Sequence, residues 1–291
     1  MDIIEQLSSA LADRLAAAAA SVVALKAGSR PRSGILWRPD VVVTSEQVVG
    51  EQDSAVIVQN GTEVAAKLAG RDPTTNVAVF RLETPLTGAL PAPAATAPRA
   101  GSLALVVGAG PTGRLAMVHA VGPAWHSMAG GRIDTLIRLD VRLGADEGGP
   151  VLDQSGALLG MSTSGPRRRA LVIPAATIAR VVDPLLEQGH IARGWLGVGL
   201  QPVAIPDSLQ AATGQARGAM VLQLVANAPA QQAGVLPGDI LLSIDEFRFG
   251  QRRGLASLMG PDRIGKTVTV RLLRAGEMKE IGVVIAARPI S

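Results

Sequence analysis

The hydrophobic positions divide the first two thirds of the chain into one N-terminal helix and a series of short strands. Apolar residues from Ile3 to Leu15 recur at helical spacing and predict a helix over 3–20. Short Val-, Ile- and Leu-rich runs separated by Gly, Pro, Asn and Asp follow, and such a series is typical of a barrel or a sandwich. The predicted strands of this part are 21–25, 41–44, 55–59, 77–82, 103–107, 117–121, 135–139, 158–161 and 171–173.

A helix and a second set of strands indicate that a new domain begins near 188–193. An apolar stripe predicts a helix over 175–188, with Gly189 as its C-cap and Pro184 as a residue that kinks it or ends it early. We therefore predict an N-terminal helix (1–20), a larger domain (21–190) and a smaller domain (191–291). In the smaller domain the pattern predicts strands over 196–201, 219–225, 240–244 and 267–273, and helices near 229–234 and 255–260.

Composition excludes several kinds of chemistry. Apolar residues make up 47% and charged residues 18%, which is enough for packed cores. The absence of Cys excludes disulfides, thiolate zinc sites and a cysteine nucleophile, and three His residues argue against a multi-histidine metal site. We predict neither a metal nor a cofactor.

The net charge argues against a nucleic-acid partner, and the hydropathy argues against a membrane-spanning helix. The formal net charge is only +4, and the high pI arises because most basic residues are Arg and the chain has no Tyr or Cys. The apolar stretch over 15–25 is shorter than the ~20 residues that a membrane helix needs. Asp2, Glu5 and Asp13 precede it, whereas a secretion signal begins with positive charge. A cytoplasmic location is the default expectation.

Six ordered motifs carry a resemblance to a known family. The chain resembles the HtrA-like serine proteases over about residues 20–288. The resemblance implies a mainly β fold, with a trypsin-like double β-barrel followed by an α+β PDZ domain. The motifs are Ser33-Gly34-Ile35, Val42-Val43-Thr44-Ser45-Glu46-Gln47-Val48-Val49, Gly70-Arg71-Asp72-Pro73-Thr74-Thr75-Asn76-Val77-Ala78-Val79, Gly148-Gly149-Pro150, Arg193-Gly194-Trp195-Leu196-Gly197-Val198 and Ala233-Gly234-Val235-Leu236-Pro237-Gly238-Asp239.

The chain departs from the family at all three positions of the catalytic triad. By the resemblance, Gln47 stands at the position of the general base, Asn76 at the position of its orienting carboxylate, and Glu147 at the position of the nucleophile. Acyl transfer needs a nucleophile and a base, and the amide of Gln47 cannot accept a proton. We therefore predict no catalytic residue among these three, which should nevertheless converge in one cleft.

The oxyanion hole is expected to differ as well. By the resemblance its two N–H donors come from Ala145 and Glu147. A carboxylate beside these donors would occupy the place of the oxyanion. We hypothesise that the side chain of Glu147 folds into the hole as a built-in anion.

The PDZ-like part retains the features that peptide binding needs. Such domains add a peptide strand to a sheet edge and hold its terminal carboxylate in a loop of N–H groups. The resemblance places this loop at Trp195, Leu196 and Gly197, and the pocket for the last side chain on a helix near 255–259. The predicted peptide-binding residues are Trp195, Leu196, Gly197, Val198, Gly199, Leu200, Leu255, Leu258 and Met259.

Three functions are consistent with these motifs. We predict a catalytically inactive homologue whose PDZ domain binds peptides, protein C-termini or unfolded segments, as an adaptor, chaperone-like or regulatory protein. The alternatives are an active HtrA-type serine endopeptidase and a structural subunit of a larger assembly. Self-association into a homo-oligomer stays open, as does an anion contact by Arg167, Arg168 and Arg169.

Overall fold

The chain folds into two units. The computed structural model describes residues 2–27, 31–110, 112–165, 169–250 and 255–289. The first unit contains residues 1–127 and 132–191, and the second contains residues 128–131 and 192–291.

The first unit consists of two closed six-stranded barrels with a helix at each end of its sequence. The helices are α1 (Ile3–Ala18), α2 (Glu46–Val49) and α3 (Ala175–Gln188). The strands are β1 (Val22–Lys26), β2 (Arg32–Arg38), β3 (Val41–Ser45), β4 (Ser54–Gln59), β5 (Thr62–Asp72), β6 (Val77–Leu82), β7 (Leu103–Gly108), β8 (Thr112–Gly122), β9 (Trp125–His126), β10 (Arg132–Ile133), β11 (Leu136–Arg142), β12 (Pro150–Asp153), β13 (Leu158–Ser164) and β14 (Arg169–Pro174).

The first barrel has the strand order β1-β2-β3-β6-β5-β4. The turn at Asn60 and Gly61, both with positive φ, joins β4 to β5 in a hairpin, as the Asn-Gly pair favours. Inward-facing Val, Leu and Ile residues surround the fully buried Phe80. Residues along each strand alternate between the interior and the exterior, and the inward-facing ones form one packed core in the closed barrel.

The second barrel has the strand order β11-β14-β13-β12-β7-β8. Its interior is filled by small and branched side chains such as Val106, Val118 and Leu139. Helix α3 packs its apolar stripe against β5, β6 and β13, where Ile178, Val181 and Leu185 are buried together with Val79. This helix therefore holds the two barrels together on one side.

The second unit is built around one open sheet with the order β16-β17-β18-β20-β21, and β19 pairs with β18. Its strands are β15 (Gly194–Trp195), β16 (Val198–Ala204), β17 (Arg217–Leu224), β18 (Ile240–Ile244), β19 (Phe247–Arg248), β20 (Thr267–Arg274), β21 (Glu277–Val284) and β22 (Ala286–Ala287), and its helices are α4 (Asp207–Thr213) and α5 (Pro229–Gln232). Since β16 is the first strand in this order, it lies at an edge of the sheet.

The predicted fold class is confirmed: the chain is mainly β, with a double barrel followed by a PDZ domain. Two local predictions need correction. Helix α3 continues through Pro184 to Gln188, because the carbonyl that loses its N–H partner belongs to the exposed Arg180, where water can replace that bond. The helix predicted near 255–260 is only the 3-10 segment Leu255–Leu258.

Candidate functional site

Gln47 and Asn76 are brought together by the ends of three strands of the first barrel. Gln47 lies in the single turn of α2, directly after β3, and Asn76 lies in the turn between β5 and β6. Asn76 has φ 58°, a left-handed conformation that Asn adopts more readily than most residues. Its side-chain Oδ1 accepts a hydrogen bond of 2.9 Å from the backbone N–H of Gln47. The turn thus fixes the start of the short helix that carries Gln47.

Glu147 lies in the loop between β11 and β12 of the second barrel, and this loop is attached to the first barrel by Ser33. The Ser33 hydroxyl donates to the carbonyl of Ala145 (2.7 Å), and the Ser33 N–H donates to the carbonyl of Glu147 (3.2 Å). Gly148 has φ 92°, and a Cβ there would lie 2.3 Å from the Ser33 carbonyl oxygen. Only glycine fits this approach of the two barrels.

The three predicted side chains meet in one cleft between the barrels. The Gln47 amide Nε2 donates to Glu147 Oε1, and also to Thr163 Oγ1 at 2.9 Å. Asn76 Nδ2 donates to the same Thr163 oxygen at 2.5 Å, and the buried Ser45 hydroxyl lies 3.1 Å from it. Thr163 is therefore the shared partner of the polar side chains in the cleft.

The carboxylate of Glu147 is bound mainly by one residue of β13. Its Oε1 accepts the Ser164 N–H at 2.9 Å, and its Oε2 accepts the Ser164 hydroxyl at 2.9 Å. Glu147 is only 7% exposed, and no Arg or Lys of the described residues forms an ion pair with it. Neutral donors thus compensate this buried charge.

These contacts differ from the built-in anion that we hypothesised. The Glu147 carboxylate bonds to Gln47 and Ser164, not to the N–H groups at 145 and 147. The Glu147 N–H instead donates to the carbonyl of Gly144 at 3.3 Å. The side chain turns toward β13 because that strand offers it both an N–H and a hydroxyl.

The neighbouring acid, Asp146, has a different role. Its Oδ2 accepts the Arg114 Nε at 3.0 Å, and its Oδ1 accepts the Gly144 N–H at 2.6 Å. Asp146 is 6% exposed, so the carboxylate of its ion pair with Arg114 is largely shielded from solvent. These bonds hold the start of the loop and point Asp146 away from Glu147.

Among the described residues, the polar groups of the cleft are hydroxyls, amides and the carboxylate of Glu147. The described histidines lie elsewhere: His119 is exposed on β8, His126 is on β9, and His190 follows α3. No group of three or more His, Asp or Glu among the described residues could hold a metal ion. Proton acceptance in the cleft therefore falls to Glu147, since amides and hydroxyls are far weaker bases.

The sequence interpretation missed Thr163 and Ser164. Both lie at the end of β13, where an apolar run gives way to the polar segment Ser162-Thr163-Ser164. A strand ending in three hydroxyl residues is the signal that could have identified them. The strand pairing of β13 with β14 brings this end to the cleft.

The predicted peptide-binding loop of the second unit adopts a turn that requires glycine. Gly197 has φ 74°, and a Cβ there would lie 2.1 Å from the Ala228 Cβ. The carbonyl of Gly197 accepts the Val225 N–H at 2.9 Å, and the carbonyl of Leu196 accepts the Ala230 N–H at 3.0 Å. These bonds fix the loop directly before the edge strand β16.

The apolar residues predicted to line a pocket share one hydrophobic cluster. Leu196 and Met259 are buried in it, and the partly buried members include Val198, Leu200, Leu255 and Leu258. Trp195 pairs with Ala286 in the short β15–β22 ladder, and Gly199 pairs with Gln223. The pocket wall that we predicted as a helix is the 3-10 segment Leu255–Leu258, and its role in binding stays a prediction.

The basic loop that we considered as an anion contact is described only at its end. Arg169 is exposed at the start of β14. Arg167 and Arg168 lie outside the described residues.

Two carboxylates have a pKa below the ordinary value. Burial alone would raise the pKa of Asp239, but hydrogen bonds from Arg274 and the Leu236 N–H, with the Arg274 charge, lower it overall. Burial likewise opposes the hydrogen bonds from Thr177 and Arg180 that lower the pKa of Asp134. Both groups tie strands to neighbouring segments and lie outside the cleft.

Family models match both parts of the chain. The model for a trypsin-like peptidase domain matches residues 32–161, and the model for a PDZ domain matches residues 194–285. None of the described helices is both long and apolar enough to cross a lipid bilayer.

Named proteases are similar to most of this chain. A protein of Brucella suis biovar 1 (strain 1330), named "Probable periplasmic serine endoprotease DegP-like", is 30% identical and covers 85% of this chain and 50% of its own length. A Bartonella henselae protein of the same name is 31% identical over 85% of this chain and 51% of its own length. The chain thus spans about half the length of these curated relatives. The structure "HtrA-type protease AlgW with tripeptide" has a TM-score of 0.71 and 25% identity, and covers 97% of this chain and 98% of its own.

These names contradict two predictions. The prediction of a catalytically inactive homologue is corrected because the curated relatives are named as serine endoproteases and the solved structure as an HtrA-type protease, names that favour the alternative of an active peptidase. That prediction found no substitute for the triad among Ser45, His119 and His126, and it did not consider the hydroxyls at the end of β13. The cytoplasmic location is corrected because the curated relatives are named as periplasmic, whereas our expectation was only a default.

Proposed function

Because this chain is HtrA-like, with a trypsin-like peptidase domain followed by a PDZ domain, we propose that it is an endoprotease that cleaves polypeptides and binds peptides through its PDZ domain. The observation that carries this proposal is the likeness to named serine endoproteases across 85% of the chain. The cleft between the barrels is the place for the extended substrate. We propose a periplasmic location on the same ground.

Cleavage of an unfolded protein by the full chain tests the peptidase part. Fluorescently labelled, unfolded casein is incubated with the purified protein, and fragments are separated by mass. We expect fragments that increase with time and with protein concentration. A fluorophosphonate probe, which reacts with activated serine hydroxyls, should label the protein in parallel. Absence of both fragments and label would overturn the proposed peptidase activity.

The edge strand β16 supports the proposed peptide binding by the PDZ domain. β16 pairs with β17 on one side, so a peptide can add main-chain hydrogen bonds along the other side. The turn at Gly197 directly precedes this strand, and we propose that backbone N–H groups of this loop bind the terminal carboxylate. The apolar cluster around Leu258 and Met259 favours an aliphatic last side chain.

Calorimetry with paired peptides tests this recognition. The full chain is titrated with peptides ending in Val or Leu, each as the free acid and as the C-terminal amide. We expect micromolar affinity, about −8 kcal/mol, for the free acids, because a short flexible peptide loses entropy on binding. Amidation should weaken binding about tenfold, or ~1.4 kcal/mol, if the carboxylate is bound.

Equal binding of acid and amide would mean that the domain binds internal segments, and no binding at all would overturn peptide recognition. Self-association of the chain stays a prediction.

A further inference from the structure

The cleft contains one serine whose hydroxyl is paired with a carboxylate. Ser164 donates its hydroxyl to Glu147 Oε2 and its N–H to Glu147 Oε1, each at 2.9 Å. Ser164 is partly exposed, while Glu147 is buried. A nucleophile reachable from the cleft thus lies beside a proton acceptor.

We propose that Ser164 is the nucleophile of the peptidase domain and Glu147 its general base, an assignment that rests on the proposed function. Acyl transfer requires a hydroxyl activated by a nearby base. Glu147 stands where the family has its nucleophile, and Gln47 cannot accept a proton. Hydrolysis in this cleft therefore needs another pair, and Ser164 with Glu147 supplies both parts.

The other hydroxyls of the cleft are buried and are bound differently. That of Thr163 lies 3.5 Å from Glu147 Oε1 and accepts the amides of Gln47 and Asn76. The Ser45 hydroxyl has no exposed surface and contacts the Asn76 Oδ1 at 3.2 Å and Thr163. The Ser162 hydroxyl is also buried and donates to the carbonyl of Asp146 at 2.8 Å. Neither serine hydroxyl is paired with a carboxylate in these contacts, and the Thr163 hydroxyl lies 3.5 Å from its carboxylate oxygen, against 2.9 Å for Ser164. Ser164 is therefore the best-placed hydroxyl for the role.

The reaction balances with these two residues and water. The Ser164 oxygen bonds to the substrate carbonyl carbon while its proton moves to Glu147. Collapse of the tetrahedral intermediate breaks the C–N bond, and the proton passes from Glu147 to the leaving amine. Water then attacks the acyl-serine ester and gives its proton to Glu147. The C–O bond to Ser164 breaks, Glu147 returns the proton to the serine oxygen, and the acid product leaves.

Gln47 and Thr163 act as positioning residues in this arrangement. Gln47 Nε2 donates to Glu147 Oε1 and to Thr163, so Oε2 is left facing the Ser164 hydroxyl. A carboxylate is a weaker base than an imidazole, and general-base catalysis is less efficient when the base is weak. We therefore expect turnover slower than an imidazole base would give.

Three variants of the full chain test the assignment in the casein assay. Ser164→Ala and Glu147→Gln should each lower the cleavage rate at least ~100-fold, since each removes one part of the proton transfer. Ser155→Ala is the matched control. Its exposed hydroxyl also pairs with a carboxylate, Asp153 Oδ1 at 2.6 Å, but it lies in the β12–β13 turn. We expect it to cleave at the unmodified rate.

Mass spectrometry of the fluorophosphonate-labelled protein gives a second measurement that does not depend on the variants' stability. The adduct should lie on Ser164. An adduct on another serine, or full cleavage by the Ser164→Ala protein, would overturn the assignment and leave the proposed peptidase function intact. If the unmodified protein neither cleaves casein nor takes the label, the proposed function fails, and the assignment fails with it.

Discussion

The cleft between the barrels is built from side chains, whereas the edge of the PDZ sheet is built from the main chain. In the cleft, side-chain atoms meet at Thr163 and Glu147, and each atom is specified by the residue type. At the edge strand β16 the main chain supplies the hydrogen bonds, and Gly197 matters for its backbone angle. A single substitution therefore changes the chemistry of the cleft, whereas the edge tolerates many side chains.

Thr163→Val is expected to produce the largest effect on stability. Valine keeps the shape but removes the oxygen that Gln47, Asn76 and Ser45 share. Gln47 is exposed and can bond to water, but Ser45 is buried and Asn76 is partly buried. An unsatisfied buried donor costs about 1–3 kcal/mol, so we expect a loss of about 3 kcal/mol in the free energy of unfolding from these two residues. Urea denaturation of the full chain measures it. Thr62→Val, at an exposed position of β5, is the control, and an equal loss in both variants would contradict the role of the shared oxygen.

Gly197→Val tests the role of the backbone at the edge of the PDZ sheet. The φ of 74° and the 2.1 Å approach to the Ala228 Cβ both oppose a branched side chain, and we expect a loss of about 2 kcal/mol in the stability of the PDZ domain. Peptide binding should weaken with it. Gly214→Val separates the two causes, because Gly214 has φ 69° but no atom within 4 Å of its Cβ position.

A smaller loss for Gly214→Val than for Gly197→Val would show the effect of the close approach. If Gly197→Val binds peptide and melts like the unmodified protein, the backbone account of the edge is wrong. Hydrogen exchange at Val225, whose N–H bonds to Gly197, monitors the loop directly.

The smallest expected effect is the pH dependence contributed by Asp239. Its pKa in the folded state lies below the ordinary value of 3.8, because the bonds from Arg274 and Leu236 outweigh burial. Because the pKa is lowered on folding, the carboxylate stabilises the folded state above pH 3.8. This contribution disappears as the pH falls through the pKa of the folded state. The urea midpoint of the PDZ transition should fall on acidification. Asp239→Asn should remove that part of the pH dependence.

The sequence predicts the architecture better than it predicts the cleft. Strand periodicity and turn residues such as Asn60 and Gly61 indicate both barrels, because these signals are local. The ordered motifs place Gln47, Asn76 and Glu147 in one cleft. The partners of Glu147 could not be predicted, since Ser164 comes from a strand whose register depends on the whole barrel. The 3-10 segment at Leu255–Leu258 likewise depends on packing against Met259 and its neighbours, which no local pattern encodes.

Ser33 has a consequence for how the first unit can be divided. It belongs to β2 of the first barrel, yet its hydroxyl accepts the Ala109 N–H at 2.9 Å and donates to Ala145 of the second. A chain cut in the connection between β6 and β7 would give two fragments. Neither fragment on its own could close the loop that carries Glu147. Mixing the fragments should restore that loop only when both barrels associate. The unit is therefore suited to fragment complementation, in which the recovered cleft reports that two separate polypeptides have met.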